Sequence, residues 1–166
     1  MNCIQTLRNT IFLICLVALV AGCTHETAND MIAPAAFYTV NHYDENRDPF
    51  TDLAATIKRA DSEGKRILLQ IGGDWCGWCA RISNYMETEE RIRIMLDESF
   101  VVMKVTFPSE NTEFFLSRYP NIDAYPHLFV LEKDGSFLHS QGTGELEEDK
   151  SYNQDVFATF LSSWIP

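Results

Sequence analysis

Cys76 and Cys79 stand two residues apart, separated by Gly77 and Trp78 and preceded by Asp74 and Trp75. Two thiols at that spacing can carry out disulfide exchange: one attacks as thiolate and forms a mixed disulfide, which the other resolves. The apolar positions Ile82, Tyr85 and Met86 predict a helix that begins at the motif. Cys76 then lies at the helix N-terminus, where unpaired N–H groups and the helix dipole favour negative charge. Cys76 is therefore the expected exposed attacker and Cys79, one turn in, the shielded resolving thiol. Gly77 is expected to permit a tight turn, and Trp75 and Trp78 to form an apolar rim for a flexible partner. The bland alternatives are an inert structural disulfide, half of a zinc site, and core packing for the two tryptophans. Zinc takes about four ligands, yet there is no second cysteine pair and only His127 and His139 lie downstream. A c-type haem attachment needs His after Cys79, where Ala80 stands.

The elements around the pair can be read from periodicity. Phe50, Leu53, Ala54, Ile57 and Ala60 recur at helical spacing over residues 49–63, and Gly64 supplies a stop. Residues 66–72 (RILLQIG) and 100–107 (FVVMKVTF) read as strands buried on both faces. Ile92, Met95 and Leu96 mark a further helical pattern, and residues 112–119 a short helix ending before Pro120. Two apolar stretches, 126–132 and 136–140, flank Lys133-Asp134-Gly135, a hairpin signal. A last helix is predicted over 152–164, with Val156, Phe157, Phe160, Leu161 and Trp164 on one face. Alternating helices and strands followed by a hairpin imply an α/β domain, a mixed sheet with helices on both sides. The acidic run Glu145, Glu147, Glu148 and Asp149 reads as a solvated loop.

Trp75-Cys76-Gly77-Trp78-Cys79 after a buried strand, with Ala124-Tyr125-Pro126-His127 before another, resembles the thioredoxin superfamily over roughly residues 49–165. The resemblance implies a thioredoxin-like fold and a cis proline at Pro126 lying against the sulfurs. It also implies that the backbone at Tyr125 pairs with substrate. The chain departs from that pattern at Gln70, where thioredoxins carry a buried acid that assists proton transfer, and at Trp78, where they have proline. An amide cannot take up that proton, so the transfer falls to water or another group, or is slow.

Residues 1–22 read as a targeting segment: Arg8 is their sole charged side chain, and residues 11–21 are an unbroken apolar run. That run falls short of the roughly 20 residues a spanning helix needs and suits a secretory signal. Val20-Ala21-Gly22-Cys23 resembles the bacterial lipobox, which implies cleavage before Cys23 and a lipid on its sulfur. Of the five cysteines, Cys3 and Cys15 then leave with the signal, and Cys76 and Cys79 remain as a pair too few to staple a scaffold. Residues 23–46 read as lipidated cysteine and tether, with Phe37, Tyr38 and Tyr43 able to pack on the domain, and residues 47–166 as the domain itself. Thr24, rather than Asp, mildly favours the outer membrane by resemblance.

Net charge is −11, from 24 Asp+Glu against 13 Lys+Arg, which argues against nucleic-acid binding. These readings converge on a thiol–disulfide oxidoreductase of the bacterial periplasm. It would exchange disulfides with exported proteins, need no diffusible cofactor or metal, and by family analogy act as a reductant. An upstream membrane or periplasmic thiol relay protein would feed it. The competing class is a thioredoxin-like peptide-binding, chaperone or redox-sensor module with little turnover.

Overall fold

The structure is a computed structural model that describes residues 35–166. Signal, lipidation and most tether assignments, Cys23 included, lie outside the described residues. The sheet begins with β1, Tyr38–Val40. Helix α1, Pro49–Glu63, starts where predicted: Asp48 caps it by accepting from Phe50 N at 3.0 Å, Pro49 follows, and Gly64 ends it at φ 67°. Strand β2, Arg66–Gly72, leads into α2, Gly77–Thr88, and α3, Glu90–Ser99, follows. Next come β3, Phe100–Thr106, α4, Glu110–Leu116, β4, His127–Leu131, and β5, Phe137–Gly142. A 3-10 turn, Thr143–Leu146, precedes the two-residue strands β6, Glu147–Glu148, and β7, Ser151–Tyr152, and α5, Gln154–Ser162, comes last.

The five-stranded sheet runs β1-β3-β2-β4-β5 and is mixed: β1 and β2 are parallel to β3, while β2–β4 and β4–β5 are antiparallel. Alternation along the strands separates two cores. Ile67, Leu69 and Ile71 of β2 pack with Leu53 and Ala60 of α1 and Phe115 of α4. Leu68 faces the other way, with Ile82, Met86, Ile92, Leu96, Phe157 and Leu161 from α2, α3 and α5. The apolar side chains of β2 are fully buried, each contributing about 1.5–3 kcal/mol. Gln70 and Gly72 share the parity of Leu68, which turns them toward α2. This is the predicted thioredoxin-like architecture, with its hairpin and last helix.

Several boundaries move. The predicted tether 23–46 runs into the fold: Phe37 is fully buried, its carbonyl accepts from Val102 N at 2.8 Å, and β1 adds to the sheet edge. A strand of three residues is too short to show alternation in the sequence. The last helix is shorter than 152–164, because Tyr152 pairs with Glu147 in β7 and Asn153 caps α5. Val156 is 44% exposed and does not share the buried face. The short helix predicted over 112–119 spans Glu110–Leu116. The acidic run is ordered in part, since Glu147 and Glu148 form β6 against β7.

Candidate active site

Backbone direction changes abruptly after β2, and the two cysteines occupy that corner. Cys76 is the N-cap of α2, extended at φ −99°, and its Sγ accepts from Cys79 N at 3.1 Å. The first turn closes through Cys79 N and Ala80 N, both donating to Cys76 O. Cys76 and Cys79 are joined in a disulfide, their Cα atoms 5.1 Å apart. A helix start thus puts an N–H on the first sulfur, where it stabilises a thiolate once the bond is reduced. The accessibility order is as expected but compressed: Cys76 is 6% exposed, not open, and Cys79 is fully buried.

Trp75 is the exposed rim residue, at 60%. Its indole N–H donates to Phe107 O at 2.8 Å, and its ring meets Tyr125 edge-on at 5.6 Å. Phe107 stacks on Tyr125 at 5.3 Å, completing an aromatic wall. Trp78 departs from the expected rim. It is half-buried, packs edge-on against Tyr152 at 5.7 Å with Arg81 over its ring, and belongs to the core beneath α2. Gly77 is not needed for a tight turn either, since a Cβ there would meet nothing within 4 Å.

The Tyr125–Pro126 peptide is cis and Pro126 is buried. Its carbonyl accepts from Thr143 Oγ1 at 2.7 Å. The β2–β4 ladder pairs Ile71 with His127, so one residue further Pro126 comes level with Gly72. A Cβ on Gly72 would overlap Cys79 Sγ, so glycine is what lets the strand end approach the sulfur. The loop after β3 approaches from the other side: Phe107 N donates to Gly72 O at 2.7 Å, and Phe107–Pro108 is a second cis bond. Sequence reading took Phe107 for the end of a strand, and no local signal marks it as part of the site.

Beneath the disulfide lies a polar cluster. Gln70 is fully buried, and its amide nitrogen donates to Ser83 Oγ at 2.9 Å and Tyr43 Oη at 3.0 Å and lies 3.5 Å from Cys79 O. Ser83 Oγ in turn donates to Cys79 O at 2.9 Å. Cys79 O can only accept, which orients the amide with nitrogen toward it. Burial pushes the Tyr43 phenol well above its usual range, with Gln70 opposing. Lys104, level with Gln70 on β3, is 9% exposed and lies over the rings of Tyr38 and Tyr43. Burial holds its ammonium down, against the pull of Glu87 and Asp74. A cleft of about 450 Å³ opens beside the motif, lined among others by His42, Tyr43, Asp74, Trp75 and Pro108. His127 is a strand side chain that shares a hydrogen bond with Ser140 Oγ at 2.8 Å, and burial lowers its pKa. Among the described residues no cluster of three or more His, Cys, Asp or Glu is arranged to hold a metal ion.

Comparison with known proteins shows what the chain resembles. The chain is similar to a disulphide isomerase from Xylella fastidiosa Temecula1, with a TM-score of 0.62 and 21% identity over 73% of this chain and 94% of that one. It is also similar to the C-terminal domain of Neisseria meningitidis DsbD in its reduced form, with a TM-score of 0.52 and 22% identity over 70% and 96% of the two chains. By sequence it is 29% identical over 100 residues to the thiol:disulfide interchange protein DsbD of Actinobacillus pleuropneumoniae serotype 5b (strain L20). That match takes in 58% of this chain but only 17% of the relative's length. The profile of the Thioredoxin-like family matches residues 48–133, more than half of the sequence and with both cysteines inside it, and the chain belongs to that family.

Proposed function

We propose that the protein is a thiol–disulfide oxidoreductase that reduces disulfides in exported proteins. The observation that carries this reading is the Cys76–Cys79 disulfide at the start of α2, with an N–H on the outer sulfur and the inner sulfur enclosed. In the dithiol form, Cys76 thiolate attacks a substrate disulfide and forms a mixed disulfide, releasing one substrate thiolate. Cys79 thiolate then attacks Cys76 Sγ, restoring the intramolecular disulfide and releasing the second substrate thiolate. Two electrons pass to the substrate and each released sulfur takes a proton. No diffusible cofactor enters. The wall of Trp75, Tyr125 and Phe107 offers apolar surface to the approaching chain, and the backbone at Tyr125, just before the cis proline, would offer hydrogen bonds to it.

The oxidised enzyme must be re-reduced, and a membrane or periplasmic thiol relay protein is the proposed donor. A relative of this chain is named a thiol:disulfide interchange protein, which supports exchange with another thiol protein. The lipobox-like residues 20–23 support a lipid on Cys23 and a periplasmic, membrane-held domain, the outer membrane being favoured by Thr24. No helix among the described residues is long and apolar enough to cross a membrane. The test is turnover of a disulfide-bonded protein with a thiol donor, comparing wild type with Cys76→Ser. Wild-type turnover that the substitution abolishes supports the reading. Binding of the substrate without turnover by either protein would favour the peptide-binding alternative.

A further inference from the structure

Cys79 can resolve a mixed disulfide only as a thiolate, yet it is fully buried, and a charged sulfur away from water needs a hydrogen-bond donor. Three polar side chains reach its surroundings. Ser83 has its hydrogen engaged by Cys79 O, and Gln70 gives its N–H groups to Ser83 and Tyr43. Tyr43 differs: its oxygen accepts from Gln70, so its own O–H hydrogen points elsewhere. A side chain on Gly72 would collide with Cys79 Sγ and come within 2.9 Å of Tyr43 Oη, so sulfur and phenol both press on the side of Gly72 where a Cβ would stand.

The geometry points to Tyr43 as the residue that donates a hydrogen bond to Cys79 Sγ and holds its negative charge during resolution, with Gln70 as the positioning residue that aims the phenol. This rests on the oxidoreductase reading above. Gln70 thereby gains a role that a carboxylate would not fill: an amide donates to the phenol oxygen, whereas a carboxylate would accept its hydrogen and draw it from the sulfur. Tyr43 also lines the cleft beside the motif, with Gly73, Asp74 and Trp75. In the step itself, the Cys79 S–H proton passes to water and Tyr43 keeps its own. The thiolate attacks Cys76 Sγ, the Cys76–Cys79 bond forms, the bond to substrate breaks, and the substrate sulfur leaves with the electron pair and is protonated by solvent. The charged and titratable groups facing this spot are Lys104 from β3, Asp74 before the motif, Tyr152 from β7, Tyr38 from β1 and Glu87 from α2.

The test uses the full reduced chain carrying Cys76→Ser, with and without Tyr43→Phe. Alkylation at Cys79 is followed against pH by peptide mapping, which separates it from the other cysteines. Tyr43→Phe should move the midpoint up by about one pH unit, roughly a tenfold loss of thiolate near neutrality. An unmoved midpoint overturns the proposal. So does faster alkylation at every pH without a shift, the signature of a merely looser fold. Labelling of Cys76 in Tyr43→Phe alone should match wild type, which checks that the site is intact. The readout is thiol ionisation, not turnover, so this inference can fail while disulfide exchange stands, and the reverse.

Discussion

Lys104 is an ammonium held where water is scarce, and its balance of forces can be tested directly. Burial lowers its pKa, Glu87 and Asp74 raise it, and its charge sits 5.0 Å from the Tyr38 ring centre and 5.5 Å from that of Tyr43. The folded pKa lies below the unfolded value, so between the two the unfolded chain binds more protons and stability rises with pH. Below both values the cost of the buried charge is present in full. Lys104→Met is therefore expected to stabilise the fold by about 1 kcal/mol at pH 7, with the gain shrinking toward about pH 10. Urea unfolding across pH measures it, and a loss at pH 7 would mean that the cation–ring contacts outweigh desolvation. Residue identity showed the cysteines, Trp75, Pro126 and the oddity at Gln70 plainly, because each belongs to a local motif. Tyr43, Phe107 and Lys104 were not legible as site residues. Their approach depends on strand order, and Tyr43 reads in the chain only as one more aromatic near β1.

Elements with strong local signals read best. Asp48, Pro49 and Gly64 bracket α1, and the fully buried runs of β2 and β3 leave an apolar stretch that no loop would carry. The Asp-Gly hairpin between β4 and β5 likewise follows from turn chemistry, with Gly135 at φ 88°. What failed were elements whose ordering comes from partners distant in sequence. Strand β1 exists because β3 offers it an edge, and Arg59 of α1 ties down the chain leading into it through Tyr38 O at 2.8 Å and Ala36 O at 2.6 Å. Tyr152 adjoins the apolar pattern of the last helix and reads as its start, yet β6 claims its backbone and Asn153 starts the helix after it. Trp78 shows the same effect at the site. Spacing placed it beside the cysteines, and the core under α2 drew it in.

At the scale of the whole chain, the described residues form a domain preceded by a segment with its own composition. If Cys23 carries lipid, wild-type protein expressed in a bacterial host should fractionate with membranes and Cys23→Ala should not, with mass analysis of the mature N-terminus showing the acyl chains. Several acyl chains would hold the domain firmly where one would not, and tethering would raise its effective concentration toward membrane-bound thiol partners. A soluble, unlipidated wild type would remove the anchor and leave the exchange chemistry untouched. That chemistry is the central claim, and its division of labour between the two sulfurs is what covalent trapping reads most directly. With Cys79 replaced by serine, the mixed disulfide has no resolving thiol, so reduced Cys79→Ser protein mixed with a disulfide-bonded protein should accumulate an adduct through Cys76. The Cys76→Ser protein should accumulate none, because the remaining sulfur is enclosed. An adduct formed through Cys79, or no adduct with either variant, would contradict the account.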